Sequence, residues 1–294
     1  MIKSSLSRRT FLVCNLVFLT GLSLLCVLPI LNVLAVSFSS AGAAAAGEVR
    51  FWPVDFNVKA YEVVMKEGKF FGALGMSAER LLLGTLINMV LCVLTAYPLS
   101  KDSRRFPLRT AYAWIFVFTI LFNGGLIPWY LAVKQTHLLD TVWALILPGA
   151  VNVFNIILML NFFRGLPKEL EESSLIDGAG HLKTLFLIFL PISLPSLATV
   201  TLFTMVGHWN SWFDGLMLMK SPERYPLATY LQSIEIDLST LRQLNLTDPD
   251  TARVVSNRTG RAAQIFMTAL PILIVYPFLQ KYFVSGLVMG SVKE

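Results

Sequence analysis

The chain has 294 residues, 55% of them hydrophobic and only 14% charged, with a formal net charge of +6. That composition excludes an ordinary soluble domain, because several apolar stretches reach the roughly 20 residues needed to cross a hydrocarbon core of about 30 Å. Cys14, Cys26 and Cys92 sit inside apolar runs and His137, His181 and His208 are scattered, which leaves neither a disulfide framework nor a zinc-type Cys/His spacing. The basic excess fits Lys and Arg flanking membrane spans, and no nucleic-acid partner is expected.

Lys3, Arg8 and Arg9 precede a first apolar run from Phe11 to Phe38. A cleaved signal peptide has an apolar region of about 7–15 residues, so a retained signal-anchor span is predicted. The segment 39–80 is polar, with a low-complexity stretch at Ala41–Gly47, a Trp52-Pro53 pair and a helix predicted over Val58–Lys66. A second span is placed at Leu81–Leu99, stopped by the polar run Ser100 to Arg105, and a third at Leu108–Phe122. Asn123-Gly124-Gly125 opens a short loop, with Pro128-Trp129-Tyr130 at the interface. The fourth span, Val142–Phe163, is interrupted softly at Pro148-Gly149. The fifth is expected at Ile192–Met219, a polar loop at Lys220–Arg261 and the sixth span at Ala262–Val284. Pro148, Pro271 and Pro277 inside these spans are expected to kink their helices.

Between the fourth and fifth spans lies the longest dense patch of polarity, Gly165 to Pro191. Pro167 suits a first helical position, where its missing N–H costs nothing. Glu169, Glu171 and Glu172 then fall near the positive end of the helix dipole. The helix is predicted to end at Ile176, with Asp177-Gly178 forming the turn because glycine takes positive φ without a Cβ clash. A second helix is predicted from His181 to Leu190, closed by Pro191.

The pattern Glu172-Ser173-Ser174, Leu175-Ile176, Asp177-Gly178-Ala179 and then Ile188-Phe189-Leu190-Pro191 resembles the EAA loop of the permease subunits of binding-protein-dependent ABC importers. Ser173-Ser174 stands where that family has two alanines. The stretch Phe122 to Pro128 and the tail Gln280 to Leu287 are similar to the carbohydrate-uptake branch, to the second maltose-type permease and, more so, to the oligosaccharide and lipo-oligosaccharide permeases of that group. The resemblance implies an all-α polytopic membrane protein of the type I ABC importer permease fold, with six transmembrane helices and a cytoplasmic coupling-helix loop at 165–191. It implies residues 1–75 as an N-terminal segment with the first span and an extracytoplasmic loop, 76–285 as the transmembrane domain, and 286–294 as a cytoplasmic tail. The expected partners are a second homologous permease, two ATPase subunits, an extracytoplasmic solute-binding protein, an oligosaccharide and the bilayer. ATP and Mg belong to the ATPase subunits, and no cofactor is expected in this chain. Glu171, Glu172, Ser173, Ser174, Asp177, Gly178, Ala179, Leu190 and Pro191 are the implied ATPase-coupling residues. Glu172 is expected to meet the ATPase directly, and Glu171, about 100° round the helix, to matter less.

Lys and Arg divide evenly between the segments expected inside and outside, but the inside segments are shorter and therefore denser in positive charge. With the coupling loop cytoplasmic, both termini are expected to be cytoplasmic and the protein to lie in a bacterial inner membrane. The nearest approach to a phosphate-binding loop, Gly178 to Thr184, lacks the second glycine before its lysine, so ATP hydrolysis is expected elsewhere.

The fifth span carries the densest intramembrane polarity, His208-Trp209-Asn210-Ser211-Trp212-Phe213-Asp214. Such groups are costly in hydrocarbon and face a bundle interior, a water-filled path or the interface. His208, Trp209, Asn210, Trp212 and Asp214 are therefore candidate substrate-pathway residues, since rings stack on sugar faces and amides bond hydroxyls. An interfacial aromatic belt accounts for the tryptophans equally well. Lys220, Arg224, Arg242, Arg253, Arg258 and Arg261 could steer an acidic partner or an anionic glycan such as an alginate-type oligouronide, although Glu223, Glu235, Asp237, Asp248 and Asp250 balance them. Rival expectations are an importer permease for peptides or another small solute, a membrane-embedded enzyme and an ion-coupled secondary transporter. The chain offers no catalytic cluster for the enzyme and few mid-membrane ionisable groups for the last.

Overall fold

The computed structural model describes residues 6–66, 68–233 and 258–291, and every regular element among them is helical. Two units are distinguished, one of Met1–Gly68 with Ile234–Leu270 and the other of Lys69–Ser233 with Pro271–Glu294.

In the first unit, α1 (Leu6–Ser37) leaves every side chain from Phe11 to Val27 exposed. A helix apolar all round and uncovered by protein suits lipid. Near its end Ala35 packs with Ala43 and Val49, and the Ser37 hydroxyl shares a 2.7 Å hydrogen bond with the Tyr61 hydroxyl. The low-complexity stretch is an ordered helix, α2 (Ala41–Ala46). Ser40 caps it by accepting from the Ala43 N–H at 3.3 Å, and Gly47 ends it at φ +76°. Alanine's high helix propensity plus two good caps explain why so plain a sequence is regular. The helix predicted at Val58–Lys66 is α3 (Lys59–Lys66).

The second unit is organised on α4 (Gly68–Ser100), which begins well before the predicted Leu81. Its buried side chains, among them Phe70, Ala73, Ser77, Arg80, Gly84, Asn88, Cys92 and Ala96, recur every three or four residues and define one inward face. Next, α5 (Arg109–Leu121) buries none of its residues, and at about 1.5 Å per residue its 13 residues cover about 20 Å, short of a bilayer core. Gly125, at φ +88°, turns the chain into α6 (Leu126–Gln135), which leaves at 117°. The third predicted span is thus one arm of a bent pair, and the expected loop around Trp129 is the other arm. The fourth span is α7 (Val142–Gly149) and α8 (Val153–Gly165), bent by 49°. Pro148-Gly149 tightens the end of α7, and Asn152 caps α8 by accepting from the Asn155 N–H at 3.1 Å.

The polar stretch forms α9 (Lys168–Ile176) and α10 (His181–Ile192). Pro167 sits one position earlier than predicted, as the cap before α9. Pro191 does not close α10. A wide turn over Leu185–Phe189, in which the Leu190 N–H reaches back to Leu185 O, gives the proline ring room, and the break comes at Ser193. Beyond it α11 (Leu194–Asn210) departs at 84°. The predicted fifth span breaks again at Ser211-Trp212 before α12 (Phe213–Leu218). The sixth predicted span falls within α13 (Arg258–Ser291), with Pro271 and Pro277 inside it. Among the described residues 2 helices are long and apolar enough to cross a membrane, rising to as many as 5 if each bent pair counts as one span.

Tyr97, Cys92 and Ala96 of α4, Met159 and Phe163 of α8, Leu185 and Phe189 of α10 and Val200 of α11 form the main buried cluster. At the other end of the unit, Asp140 ties the α6–α7 turn to the segment after α12. Its carboxylate accepts from the Lys220 and Ser221 N–H groups at 3.1 and 3.2 Å and from the Ser221 hydroxyl at 3.1 Å. Burial alone would raise its pKa, but these bonds and nearby Arg224 hold it below the ordinary value. A depressed carboxylate contributes stability above its unfolded pKa, near 3.9, and loses it as pH falls through the folded value. Thermal unfolding followed across that acidic window should show this loss in the wild type and less of it in Asp140→Asn.

Candidate functional site

Two places concentrate polar chemistry in the second unit. The first is a cavity of about 370 Å³ lined by residues of α4, α6, α7, α8, α11 and α12. Arg80, Gly84 and Asn88 lie four residues apart on α4 and so share a face. Arg80 is 2% exposed and forms a two-pronged ion pair with Asp214, and its Nη1 also donates to Ser211 O at 3.2 Å. Asp214 is held further by the Ser211 hydroxyl at 2.8 Å and the Gly215 N–H at 2.9 Å. The buried Nε of Arg80 has no hydrogen-bond partner. A neutral, fully oriented ion pair is the form in which such charges are tolerated away from water.

Two turns on, Asn88 and Asn155 meet Thr204. Asn155 Nδ2 donates to Thr204 Oγ1 at 3.0 Å and to Asn88 Oδ1 at 3.4 Å, and Asn88 Nδ2 reaches Gly149 O at 3.4 Å. That triad fastens α4, α8 and α11 together and leaves amide and hydroxyl edges along the cavity wall. His208 packs on Gly84 so closely that a Cβ there would sit 2.6 Å from Nε2. Trp129 and Phe203 supply aromatic faces to the same space.

Of the predicted pathway residues, His208 and Asp214 line this cavity. Trp209 does not: it is buried against an apolar recess with Leu81, Met205 and Pro271. Asn210 and Trp212 are exposed and line neither. The 100° step of the helix separates Trp209 and Asn210 from His208, and the break at Ser211 redirects Trp212. The residues missed from sequence are Arg80 and Asn88 on α4, Asn155 on α8 and Thr204, one turn before His208 on α11 itself. Of the basic loop residues, Arg242 and Arg253 lie outside the described residues. Arg224 lies 3.7 Å from Asp140, and Arg258 donates to Ala44 O at 3.3 Å, so those two charges are engaged within the chain.

The second place is the α9–α10 elbow. The Gly178 N–H bonds Leu175 O at 3.1 Å and the Ala179 N–H bonds Ser174 O at 2.9 Å, while Gly178 adopts φ +75°. These two bonds with a left-handed glycine make a Schellman cap at Asp177-Gly178-Ala179. Ser173 faces out, but Ser174 is buried and shares a 2.8 Å hydrogen bond with Thr184, which fastens α9 to α10. Glu171 also turns inward. Its carboxylate lies 3.0 Å from Lys101 Nζ and 2.9 Å from Arg105 Nη1, close ion contacts that lack aligned hydrogen bonds. Lys101 Nζ in turn sits 3.9 Å from the Tyr97 ring centre and 4.2 Å from that of Phe189. Burial pushes the Lys101 ammonium below its usual pKa, and Glu171 opposes that shift. Glu171 and Ser174, expected among the ATPase-coupling residues, lie in the elbow's own interior. Glu172, Ser173, Asp177 and Gly178 do face out, with Ile176 85% and Leu182 65% exposed beside them. Ala179 and Leu190 are half-buried and Pro191 is exposed.

A helical membrane chain with bent spans, an internal polar cavity and an outlying helical elbow is built as a transport permease. It belongs to the family described as "Binding-protein-dependent transport system inner membrane component", whose signature matches residues 85–288. The chain is 40% identical to Protein LplC of Bacillus subtilis (strain 168), over 97% of this chain and 95% of that one. It is 37% identical to the polygalacturonan/rhamnogalacturonan transport system permease protein YtcP of the same organism, over 94% and 96%. A crystal structure of a bacterial ABC transporter involved in the import of the acidic polysaccharide alginate superposes with a TM-score of 0.84 at 33% identity, covering 96% of this chain and 100% of its own. The chain is thus a non-enzymatic ABC transporter permease of the inner membrane. Such subunits work with a second permease, ATPases and a binding protein.

Proposed function

We propose that this permease passes an acidic oligosaccharide from a solute-binding protein to the cytoplasm by alternating access, through the cavity that contains Arg80, Asn88, Asn155, Thr204 and His208. The observation that carries this reading is the cavity's make-up: amide and hydroxyl edges for sugar hydroxyls, Trp129 and Phe203 rings for sugar faces, and the buried Arg80–Asp214 pair, in which Arg80 Nε is left without a partner. Support for the acidic class comes from the relatives whose names specify polygalacturonan, rhamnogalacturonan and alginate. The outward residues of the elbow, Glu172, Ser173, Asp177 and Gly178 with Ile176 and Leu182, are proposed to seat in an ATPase subunit. That arrangement requires a cytoplasmic elbow, and with six spans both termini are cytoplasmic as well. The complex with its ATPases, second permease and binding protein tests the substrate class. Ligand-stimulated ATP hydrolysis is compared between acidic and neutral oligosaccharides of matched length, with the binding protein held fixed. Stimulation by the acidic series is expected; stimulation by neutral sugars alone rejects the acidic class.

The elbow makes its own prediction. A Cβ at Gly178 meets nothing within 4 Å, so Gly178→Val is strained only through its φ of +75°, by about 1–3 kcal/mol. The variant should insert and purify in wild-type amounts yet lose coupled uptake in proteoliposomes. Wild-type uptake would remove the elbow's turn from the mechanism.

A further inference from the structure

A second cavity, of about 360 Å³, opens where α4, α5, α8 and α9 converge, and its charge balance is uneven. Lys101, Arg105, Arg109, Arg164 and Lys168 line it against Asp102, Glu171 and Glu172. The carboxylates are already engaged: Glu171 by Lys101 and Arg105, Glu172 by Arg105 at 3.9 Å, and Asp102 by Lys168 at 3.5 Å. Arg109 and Arg164 have no ion-pair partner among the described residues, and Arg164 spends one N–H on Leu99 O at 3.3 Å. Two guanidiniums facing one space without a carboxylate in ion-pair contact, Asp102 acting on Arg164 only from farther off, form a site for an anion.

The surroundings select the anion's source. Arg109 opens α5, which buries none of its residues and exposes Trp114, Ile115, Phe118 and Leu121. Phe106 and Tyr112 stack at 5.7 Å beside that start, as aromatics do at the headgroup level. A phosphate seated between Arg109 and Arg164 would leave its acyl chains to run down the exposed flank of α5. We propose that this cavity binds the headgroup of an anionic phospholipid. Basic pockets at helix ends are the form such recognition takes. Arg105, at the rim of the same cavity, also holds Glu171, so an occupied site would steady the seat of α9.

The full-length chain, delipidated in mild detergent, is mixed with equal phosphatidylglycerol and phosphatidylcholine of matched acyl chains, and bound lipid is counted by native mass spectrometry. Wild type should retain the anionic lipid several-fold over the zwitterionic one. Arg109→Gln/Arg164→Gln should lose that preference, by about fivefold per guanidinium removed, and Arg109→Lys/Arg164→Lys should keep most of it. If the double glutamine variant does not stay folded, Arg109→Gln alone, at a half-exposed position, should show the partial loss. Equal retention of the two lipids by wild type, or unchanged preference in the glutamine variants, overturns the proposal. Stabilisation by millimolar inorganic phosphate without any lipid preference also overturns it, assigning the cavity to a free anion.

Discussion

Glu171→Lys should cost this permease its ATPase partners, whereas Glu172→Lys should weaken them only in part. Glu171 is 9% exposed and compensates both Lys101 and Arg105. Reversing its charge would place a third cation against two whose partner is gone. Breaking a buried pair costs about 3–5 kcal/mol, and at about 1.4 kcal/mol per tenfold that shifts the elbow's docked population a hundredfold or more. Glu172 is exposed and contacts Arg105 only at 3.9 Å, so its loss inside the chain is small, in the range of about 0–1 kcal/mol for a surface pair. Its effect should come from the proposed ATPase contact alone. Co-purification of the ATPase subunits with each variant, together with the unfolding temperature, separates the two. Lower unfolding temperature and lost partners are expected for Glu171→Lys, and partial partner loss at normal temperature for Glu172→Lys. Equal behaviour of the two would remove Glu171 from the elbow's interior.

The Arg80–Asp214 pair should be the other large effect. Asp214→Asn leaves a buried guanidinium uncompensated, and about 3–5 kcal/mol of stability should go with it. Arg80→Met leaves Asp214 with only the Ser211 hydroxyl and the Gly215 N–H, and a similar loss is expected. The double replacement Arg80→Met/Asp214→Leu should recover much of the stability, because paired removal avoids the orphaned charge. It should not recover uptake if Arg80 meets the substrate. Unfolding of the complex in detergent measures the first, and uptake by proteoliposomes the second. Single variants within about 0.5 kcal/mol of wild type would mean that the pair is not formed.

What the sequence made legible follows from where the signals are local. The Schellman turn at Asp177-Gly178-Ala179 was readable because its glycine, its helix end and its two capping bonds lie within six residues. Inward Glu171 was not, because its partners Lys101 and Arg105 are about 70 residues away and look, in sequence, like an ordinary stop after a span. Arg80 was lost for a related reason. Hydropathy starts the second span at Leu81, yet α4 runs from Gly68, and the Arg80–Gly84–Asn88 spacing becomes visible only once that helix is extended. The fifth span's polar cluster was found, but its tryptophans were assigned to the pathway by composition. The helix period sends Trp209 to the α13 side, and the break at Ser211 sends Trp212 outward. Bends were the weakest point. The 84° turn at Ser193 lies between Pro191 and Pro195, and only Pro195, at the start of α11, marks it; the wide turn that keeps Pro191 inside α10 has no residue signature.

The passage of substrate through the cavity is tested most directly by plugging it. Gly207 lines the cavity and a Cβ there meets nothing within 4 Å, so Gly207→Trp projects into the open space while leaving the Asn88–Asn155–Thr204 bonds in place. Uptake of a labelled acidic oligosaccharide into proteoliposomes carrying the complete complex is measured together with ATP hydrolysis without substrate. The expected result is uptake at background with hydrolysis and subunit composition retained. Wild-type uptake by the plugged variant would contradict a route through this cavity.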